Sequence, residues 1–418
     1  SRPRPAPPRE AGGPIPDRVG GKSPIRHVIY VIKENRTYDQ VFGDLPAGNG
    51  DPSLCLFGEH VTPNLHALAR DFVLLDNFYA NAEVSASGHE WSMGAYAAEF
   101  VEKTWPIEYG HKGTKVPYPA EGHFAAAVPA LGDLWDRAAA AGISYRSYGE
   151  FVTAAKRPTD PAVCAVPALK GHFDPSYRPW DQSYRDVDRV ARFVADLHGF
   201  EKTGEMPRLQ ILRLPQDHTA GAKAGSWAPT AMVADNDLAV GQLVEAVSHS
   251  KFWRDTAIFI VEDDAQNGPD HVDAHRTEAL VISPWTRRHV VDSTPYTTCS
   301  MLRTMELILG LEPMSQFDAA ATPMWASFQS RPDFSPWTDR PAQVDMDRRN
   351  PAGTRGARES AGFDFSHEDA VDDLALNRVV WEAVRGEHSV MPAPVHAAFV
   401  REITTASDGD ADGDGDGD

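Results

Sequence analysis

Short runs of apolar, β-branched residues alternate along this chain with stretches that place apolar residues at helical spacing. Runs of this length and composition are typical of strands buried on both faces of a sheet. They predict strands at residues 26–33, 72–78, 143–148, 209–214, 256–261 and 279–283. The helical spacing predicts helices at residues 62–72, 92–101, 131–140, 185–197, 230–249 and 301–309. Because strands and helices alternate, we expect an α/β fold with a largely parallel sheet sandwiched by helices on both faces.

The two ends of the chain lack this pattern. Residues 1–24 are rich in Pro, Arg and Gly and predict a linker or a docked arm. One domain is expected over residues 25–404, with a core at about 25–330 and a loop-rich, then helical part over 331–404. Residues 405–418 alternate Asp with Gly or Ala, and without flanking helices or a closing Glu they predict a disordered tail rather than a calcium-binding loop.

Acidic residues outnumber basic ones by 60 to 40, which gives a formal net charge of −20. This charge argues against a nucleic-acid backbone as the main partner. No apolar run is long enough to predict a transmembrane segment. Cys55, Cys164 and Cys299 stand apart without Cys-x-x-Cys spacing, so we expect buried thiols, with one disulfide allowed.

Polar side chains follow three of the predicted strands at the points where those strands end. They are Glu34 and Asn35, Asp217 and His218, and Asp263 and Asp264. The carboxyl ends of parallel strands share one rim of a sheet, where ligands bind. Taken alone, Glu34 or Asn35 would be interpreted as a turn cap. Together with His271 and His275 in the loop that follows Asp264, the set predicts a divalent-metal site.

A small hydroxyl residue precedes the predicted helix at 92–101. Backbone N–H groups at a helix start favour an anion, so Ser85 or Ser87 would stand beside a bound phosphate. Either serine could instead only cap the helix. A hydroxyl is a weak nucleophile at its ordinary pKa, and metal coordination is one way to activate it. The combination points to the hydrolysis of phosphate esters.

Two segments carry a resemblance to a known family. Residues 33–43, KENRTYDQVFG, and residues 262–276, EDDAQNGPDHVDAHR, resemble signatures of the bacterial phosphoesterase family, which includes non-specific phospholipases C and acid phosphatases. The resemblance covers about residues 25–330 and implies an alkaline-phosphatase-like fold and a phosphate-ester substrate. It is closest to members that follow a YVTN-type β-propeller in a longer polypeptide. This implies an interdomain linker at residues 1–24 and a secreted, periplasmic or cell-surface location.

The resemblance also assigns roles to individual residues. It implies that Glu34, Asn35, Asp263 and Asp264 bind a metal together with a nucleophilic serine. The Ser-x-x-Gly-His spacing of residues 85–89 is similar to the nucleophile segment of related metallophosphatases and favours Ser85 over Ser87. Two interpretations of His89 stay open, orientation of the phosphate and packing at the helix start.

A second group has two interpretations within the wider superfamily. Asp217, His218, His271 and His275 correspond to residues that hold a second metal, or else the histidines contact the phosphate or protonate the leaving group. A His with a pKa near neutrality suits the acid role. The two interpretations differ in metal count, one ion or two. The all-oxygen set favours calcium, magnesium or manganese, whereas direct ligation by histidine favours zinc.

Two other functions are weighed against this one. Sulfatases use a Cys/Ser-x-Pro-x-Arg segment, which does not surround Ser85. A metal-stabilised domain that binds phosphate groups or surface polymers without turnover is the alternative of a different class. The combination of Ser85, His218 and His271 favours an enzyme over this alternative.

Overall fold

The computed structural model describes residues 7–111, 117–155, 157 and 160–396. Its strands are β1 (His27–Lys33), β2 (Val73–Leu75), β3 (Phe78–Tyr79), β4 (Tyr145–Tyr148), β5 (Leu209–Arg213), β6 (Thr256–Glu262), β7 (Ala279–Ile282), β8 (Val290–Asp292) and β9 (Tyr296–Thr297). Its α-helices are α1 (Tyr38–Phe42), α2 (Pro63–Asp71), α3 (Ser85–Gly94), α4 (Glu99–Glu108), α5 (Leu134–Ala140), α6 (Asp186–Thr203), α7 (Pro229–His249), α8 (Thr298–Leu309), α9 (Gln316–Ala320), α10 (Arg355–Ser360) and α11 (Asp373–Arg385).

The central sheet has the strand order β4-β5-β1-β6-β7. Strand β1 lies in the middle and runs parallel to β5 and β6, with Val31 opposite Leu212 on one side and Ile260 on the other. Strand β4 is parallel to β5, and only the edge strand β7 is antiparallel to its neighbour in this sheet. The expected α/β fold with a largely parallel sheet is confirmed.

Both faces of the sheet are covered by helices. Every residue of β1 is buried, and successive side chains point to opposite faces. Tyr30 and Ile32 pack with α5 and α8 on one face, while Ile29 and Val31 pack with α2, α6 and α7 on the other. Burial of each such side chain contributes about 1.5–3 kcal/mol, so the apolar run of β1 fixes its central position.

Several predicted elements differ from the structure. The helix expected at residues 92–101 begins earlier, at Ser85, and ends at Gly94, where it is followed by the cap residue Ala95, whose φ of 59° is left-handed. Residues 72–78 do not join the central sheet, because β2 and β3 pair with β8 and β9 instead. In the described part of this region, residues 331–396, the α-helices are the short α10 and α11, which begins after its cap Asp372.

The cysteine prediction is partly wrong. All three thiols are free, and Cys55 and Cys164 are only partly buried, whereas Cys299 is buried. The allowed disulfide is therefore not formed.

The predicted arm packs on the domain where it is described. Ile15 is buried in the main core, and the Glu10 carboxylate accepts a hydrogen bond from the Ser330 backbone N–H. The predicted acidic tail, residues 405–418, lies outside the described residues. Among the residues that are described, no helix is long and apolar enough to cross a membrane.

Candidate active site and metal centre

The candidate site lies where β1 and β6 end side by side. Lys33 and Glu262 are register partners, and the backbone N–H of Asp263 donates to the Lys33 carbonyl at 3.0 Å. This pairing carries the residues that follow each strand to the same rim of the sheet. Four buried side chains meet there: Glu34, Asn35, Asp263 and Asp264.

Helix α3 brings Ser85 to this rim. The Ser85 Oγ lies 3.1 Å from Oδ2 of Asp264 and 3.3 Å from Oδ1 of Asn35. The Ser87 hydroxyl turns back to the helix and donates to the Val84 carbonyl at 3.1 Å. The structure therefore places Ser85 among the predicted metal ligands and Ser87 against the backbone. The nucleophilic role of Ser85 stays a prediction.

The close approach of α3 to β6 depends on Gly88. A Cβ added at this position would lie 2.8 Å from the Asp263 carbonyl oxygen, closer than a side chain can sit. Glycine is the residue that permits such a backbone contact. The Gly in the Ser-x-x-Gly-His segment is thus a packing requirement of the site.

His89 lies in the same group of side chains. Its Nε2 lies 3.4 Å from Oε1 of Glu34 and 3.5 Å from Oδ2 of Asp263, while Nδ1 lies 2.8 Å from Oε1 of Glu150. Burial lowers the pKa of His89, but the carboxylates of Glu150, Glu121 and Asp263 raise it well above its usual value. Of the two interpretations from the sequence, the distances favour a residue of the site over a packing residue.

Several buried carboxylate oxygens in this group have no hydrogen-bond partner among the described residues. They are Oε2 of Glu34, both oxygens of Asp263 and Oδ1 of Asp264. Burial raises the pKa of Asp263 well above its usual value, and Glu34 raises it further. Asp264 shows the same shift, caused by burial and by Asp263. Because buried unpaired carboxylates are costly, this donor set fits a divalent cation.

Arg213, the last residue of β5, is buried beside the group and was not predicted from the sequence. Its Nε donates to Oε1 of Glu34 at 2.8 Å, and its Nη1 donates to the Glu121 carboxylate at 3.1 Å. Its Nη1 also lies 2.9 Å from Oε1 of Glu368. Its position at the end of an apolar strand could have indicated a site residue, because ligands bind at the strand ends of parallel sheets.

Asp217 lies in a neighbouring group around a buried lysine. Its Oδ1 accepts from the backbone N–H of Glu34 at 3.1 Å, and its Oδ2 lies 2.9 Å from Nζ of Lys33. Glu262 and Glu278 also pair with Lys33. These three carboxylates converge as metal ligands would, but the ammonium group already stands among them. A structural role for Asp217 is favoured over ligation of a second metal.

His218 is buried next to Glu34. Burial lowers the pKa of His218 to about 4, so its imidazole is neutral at neutral pH. Nδ1 donates to the Thr219 carbonyl at 2.9 Å, which leaves the lone pair on Nε2. A neutral imidazole with a free lone pair suits a metal ligand or a hydrogen-bond acceptor better than a proton donor.

His271 and His275 lie in other clusters. Nδ1 of His271 is 2.6 Å from Oδ2 of Asp39, whose other oxygen binds Arg276. Nδ1 of His275 contacts Asp273 at 2.8 Å, and Nε2 is 3.0 Å from Glu83. The described contacts thus place both histidines apart from the group around Asp263. Their predicted roles stay predictions.

A hydroxyl at a helix start, facing carboxylates at the ends of parallel strands, is an arrangement suited to metal-assisted ester hydrolysis. The chain belongs to the Phosphoesterase family, which its residues 48–312 match. It is therefore a hydrolase that acts on phosphoric ester bonds, and the resemblance to the phosphoesterase family is confirmed; the β-propeller and the roles of individual residues stay predictions. The matched range includes Ser85, Asp263 and Asp264.

Solved structures with similar architecture were also compared. A protein of the alkaline phosphatase superfamily from Vibrio parahaemolyticus is 14% identical, with 74% of this chain and 71% of that chain covered and a TM-score of 0.48. The phosphonate monoester hydrolase of Agrobacterium radiobacter is 14% identical, with coverages of 69% and 74% and a TM-score of 0.42. A murine ectonucleotide pyrophosphatase/phosphodiesterase in complex with AMP is 10% identical, with coverages of 69% and 96% and a TM-score of 0.43. No curated protein sequence matches the chain.

Proposed function

We propose that this phosphoesterase is metal-dependent and works through a phosphoseryl intermediate at Ser85. One observation carries the proposal. The Ser85 hydroxyl, at the first residue of α3, lies within hydrogen-bond distance of Asp264 and Asn35. A hydroxyl nucleophile, a helix start for the phosphate and carboxylates for a cation are thus assembled at one point.

Glu34, Asn35, Asp263, Asp264 and the Ser85 oxygen would hold the metal. A bound divalent cation would neutralise phosphate oxygens and lower the pKa of the serine hydroxyl. Oxygen ligands favour calcium, magnesium or manganese. His89 lies within reach of Glu34 and Asp263, but its Nε2 contacts Nη2 of Arg213 at 2.6 Å, so zinc would be favoured only if a metal replaced that contact.

The chain's own groups account for the two steps. In the first step, the Ser85 oxygen forms a bond to phosphorus while the bond to the leaving oxygen breaks, and that oxygen leaves with the electron pair and is protonated by solvent. The serine proton has an acceptor in the Asp264 carboxylate, 3.1 Å away. In the second step, a water oxygen bonds to phosphorus and loses a proton to solvent, the bond between the Ser85 oxygen and phosphorus breaks, and the serine oxygen takes back the proton held by Asp264. The product is inorganic phosphate from a monoester and a phosphate monoester from a diester. The Glu150 carboxylate fixes the orientation of His89 through Nδ1.

The experiment compares three substrates with and without EDTA: p-nitrophenyl phosphate, its bis-ester and p-nitrophenyl phosphorylcholine. We expect EDTA to abolish turnover and one added divalent metal to restore it. Acid quenching during turnover should trap a phosphorylated chain, with the phosphate mapped to Ser85 by peptide mass spectrometry. Turnover of the phosphorylcholine ester would support the phospholipase C type. Full activity in Ser85→Ala would overturn the proposal.

The number of metal ions is tested separately. Elemental analysis of the wild type is compared with His218→Ala and His271→Ala. A second ion held by His218 or His271 would lower the bound metal by one equivalent in that variant. If both variants keep the wild-type metal content, the one-metal form of the proposal is supported.

A further inference from the structure

The loop between α10 and α11, residues 361–372, lies against the candidate site from a distant part of the sequence. Two consecutive acidic residues of this loop make the contact. Oε1 of Glu368 lies 2.9 Å from Nη1 of Arg213. The Asp369 carboxylate accepts hydrogen bonds from the backbone N–H groups of Ser85, at 3.2 Å, and Ala86, at 2.6 Å.

These contacts occupy the groups at the site that attract anions. Helix α3 has no side-chain cap from its own N-cap residue, Val84, so its first N–H groups are open to an outside acceptor. Arg213 is buried and cationic, and a guanidinium is well suited to phosphate oxygens. Glu368 and Asp369 thus place two carboxylates where a phosphoryl group would find its donors.

Ser85 is buried where the loop contacts it. Its exposed fraction is 2%, so a phosphate ester cannot reach its oxygen in this arrangement. The loop and the start of α11 are held by further bonds, because the Asp369 carbonyl accepts from the Gly110 backbone and the Tyr109 hydroxyl accepts from the backbone N–H of Asp373. Binding of a phosphoryl group at the N–H groups of Ser85 and Ala86 therefore requires Asp369 to leave them.

The electrostatic setting favours exchange of this contact for a substrate. Arg213 forms ion pairs with Glu34, Glu121 and Glu368. Three carboxylates therefore compete for one guanidinium. Asp369 also adopts a left-handed backbone, with φ at 52°, which is uncommon outside glycine.

We propose that Arg213 and the N–H groups of Ser85 and Ala86 form the phosphate subsite, and that Glu368 and Asp369 fill it as an internal anion which the phosphoryl group of the substrate displaces. The inference rests on the proposed function, since it assigns this subsite to the substrate of Ser85. It adds a competitor built into the chain. Removing the charge of either acidic residue should therefore strengthen the binding of free phosphate.

The test measures the binding of inorganic phosphate to the 418-residue chain, loaded with metal, by isothermal titration calorimetry. Glu368→Gln and Asp369→Asn are compared with the wild type. Asp364→Asn is the matched control, because it removes the same charge from the same loop while its carboxylate bonds to Ser366 and His367. We expect each test variant to bind phosphate about tenfold more tightly, and the control to stay within about twofold of the wild type. Unchanged or weaker binding in both test variants would overturn the inference.

The two variants also separate an internal anion from a simple helix cap. Asp369→Asn keeps one oxygen that can accept from the start of α3 in place of two, so its melting temperature should fall if the cap matters for stability. The ion pair described for Glu368 is to Arg213, so the melting temperature of Glu368→Gln should stay close to that of the wild type. If only Glu368→Gln folds, its affinity for phosphate decides between an internal anion and a helix cap: tighter binding than in the wild type supports the internal anion, and unchanged binding overturns it.

This result is distinguishable from failure of the proposed function. Tighter phosphate binding in the variants, with no ester hydrolysed by the wild type, would sustain the internal anion and reject the phosphoseryl reaction. Turnover through Ser85 with unchanged phosphate binding in both variants would reject the internal anion alone.

Discussion

The Ser85 Oγ lies 3.1 Å from Oδ2 of Asp264, although 179 positions separate the two residues in the chain. The contact joins the start of helix α3 to the end of strand β6. Both side chains are buried, and Asp264 keeps one oxygen without a partner among the described residues. A hydroxyl and a carboxylate held in this way are the basis of the first two predictions.

Ser85→Ala should lower the rate of phosphate-ester hydrolysis by about a thousandfold or more, because it removes the atom that attacks phosphorus. Ser87→Ala is the control, since the Ser87 hydroxyl bonds to the Val84 carbonyl within the helix. We expect that variant to keep its turnover within about threefold of the wild type, because it loses no contact to the transition state. The measurement is kcat/KM on p-nitrophenyl phosphate. A larger loss of kcat/KM in Ser87→Ala than in Ser85→Ala would assign the nucleophilic role to Ser87 instead.

Metal removal should destabilise the fold as well as stop turnover. The unpartnered oxygens of Glu34, Asp263 and Asp264 would then repel one another without a cation. Metal at a hundred times its dissociation constant would stabilise the native state by about 2.7 kcal/mol. Calorimetry should show a melting temperature that rises with added metal in the wild type, and less so in Asp263→Asn. A melting temperature independent of metal in both proteins would contradict this.

Lys33→Met should destabilise the protein by about 3–5 kcal/mol, because it leaves three buried carboxylates without their cation. Lys33 pairs with Asp217, Glu262 and Glu278 at the ends of the sheet strands and is itself buried. The free energy of unfolding, measured in urea, checks this. Lys103→Met is a matched control, since its partner Glu99 is on the surface. A decrease in the free energy of unfolding below about 1 kcal/mol, the size expected for a surface ion pair, would mean that Lys33 does not stabilise the cluster.

Glu306 should make stability fall as pH rises. Burial, together with Asp318, raises the pKa of Glu306 from 4.5 to about 10. Between these values the folded chain holds a proton that the unfolded chain releases, so stability decreases by up to about 1.4 kcal/mol per pH unit. Glu306→Gln removes this dependence and should gain stability relative to the wild type from about pH 6 to pH 8. Parallel pH profiles of unfolding free energy in the two proteins would refute it.

The parts of the site that follow strands were predictable from the sequence. Glu34 and Asp263 each stand directly after a strand, one charged residue beyond its apolar run, and a parallel sheet brings such ends together. Arg213, Glu368 and Asp369 were not identified. Arg213 lies within a strand pattern, and the two acidic residues belong to a loop whose position is set by tertiary contacts and not by any periodicity.

The start of α3 was predicted too late for a related reason. The residues after Val84 are Ser, Ala, Ser and Gly, which include weak helix formers. In the structure the first turn is completed by the Asp369 carboxylate, which binds two of its N–H groups. A cap supplied 284 positions later leaves no local signal.

Because Gly88 has no side chain, the backbone of α3 lies close to the Asp263 carbonyl. Because the helix backbone there rests on the Asp263 carbonyl, one added methyl group would push the first turn of α3 outward while every polar group of the site kept its identity. Gly88→Ala thus alters spacing without altering composition. A displacement of about 1 Å between reacting atoms can cost about a hundredfold in rate, so this position offers a way to measure how narrowly the attack depends on alignment.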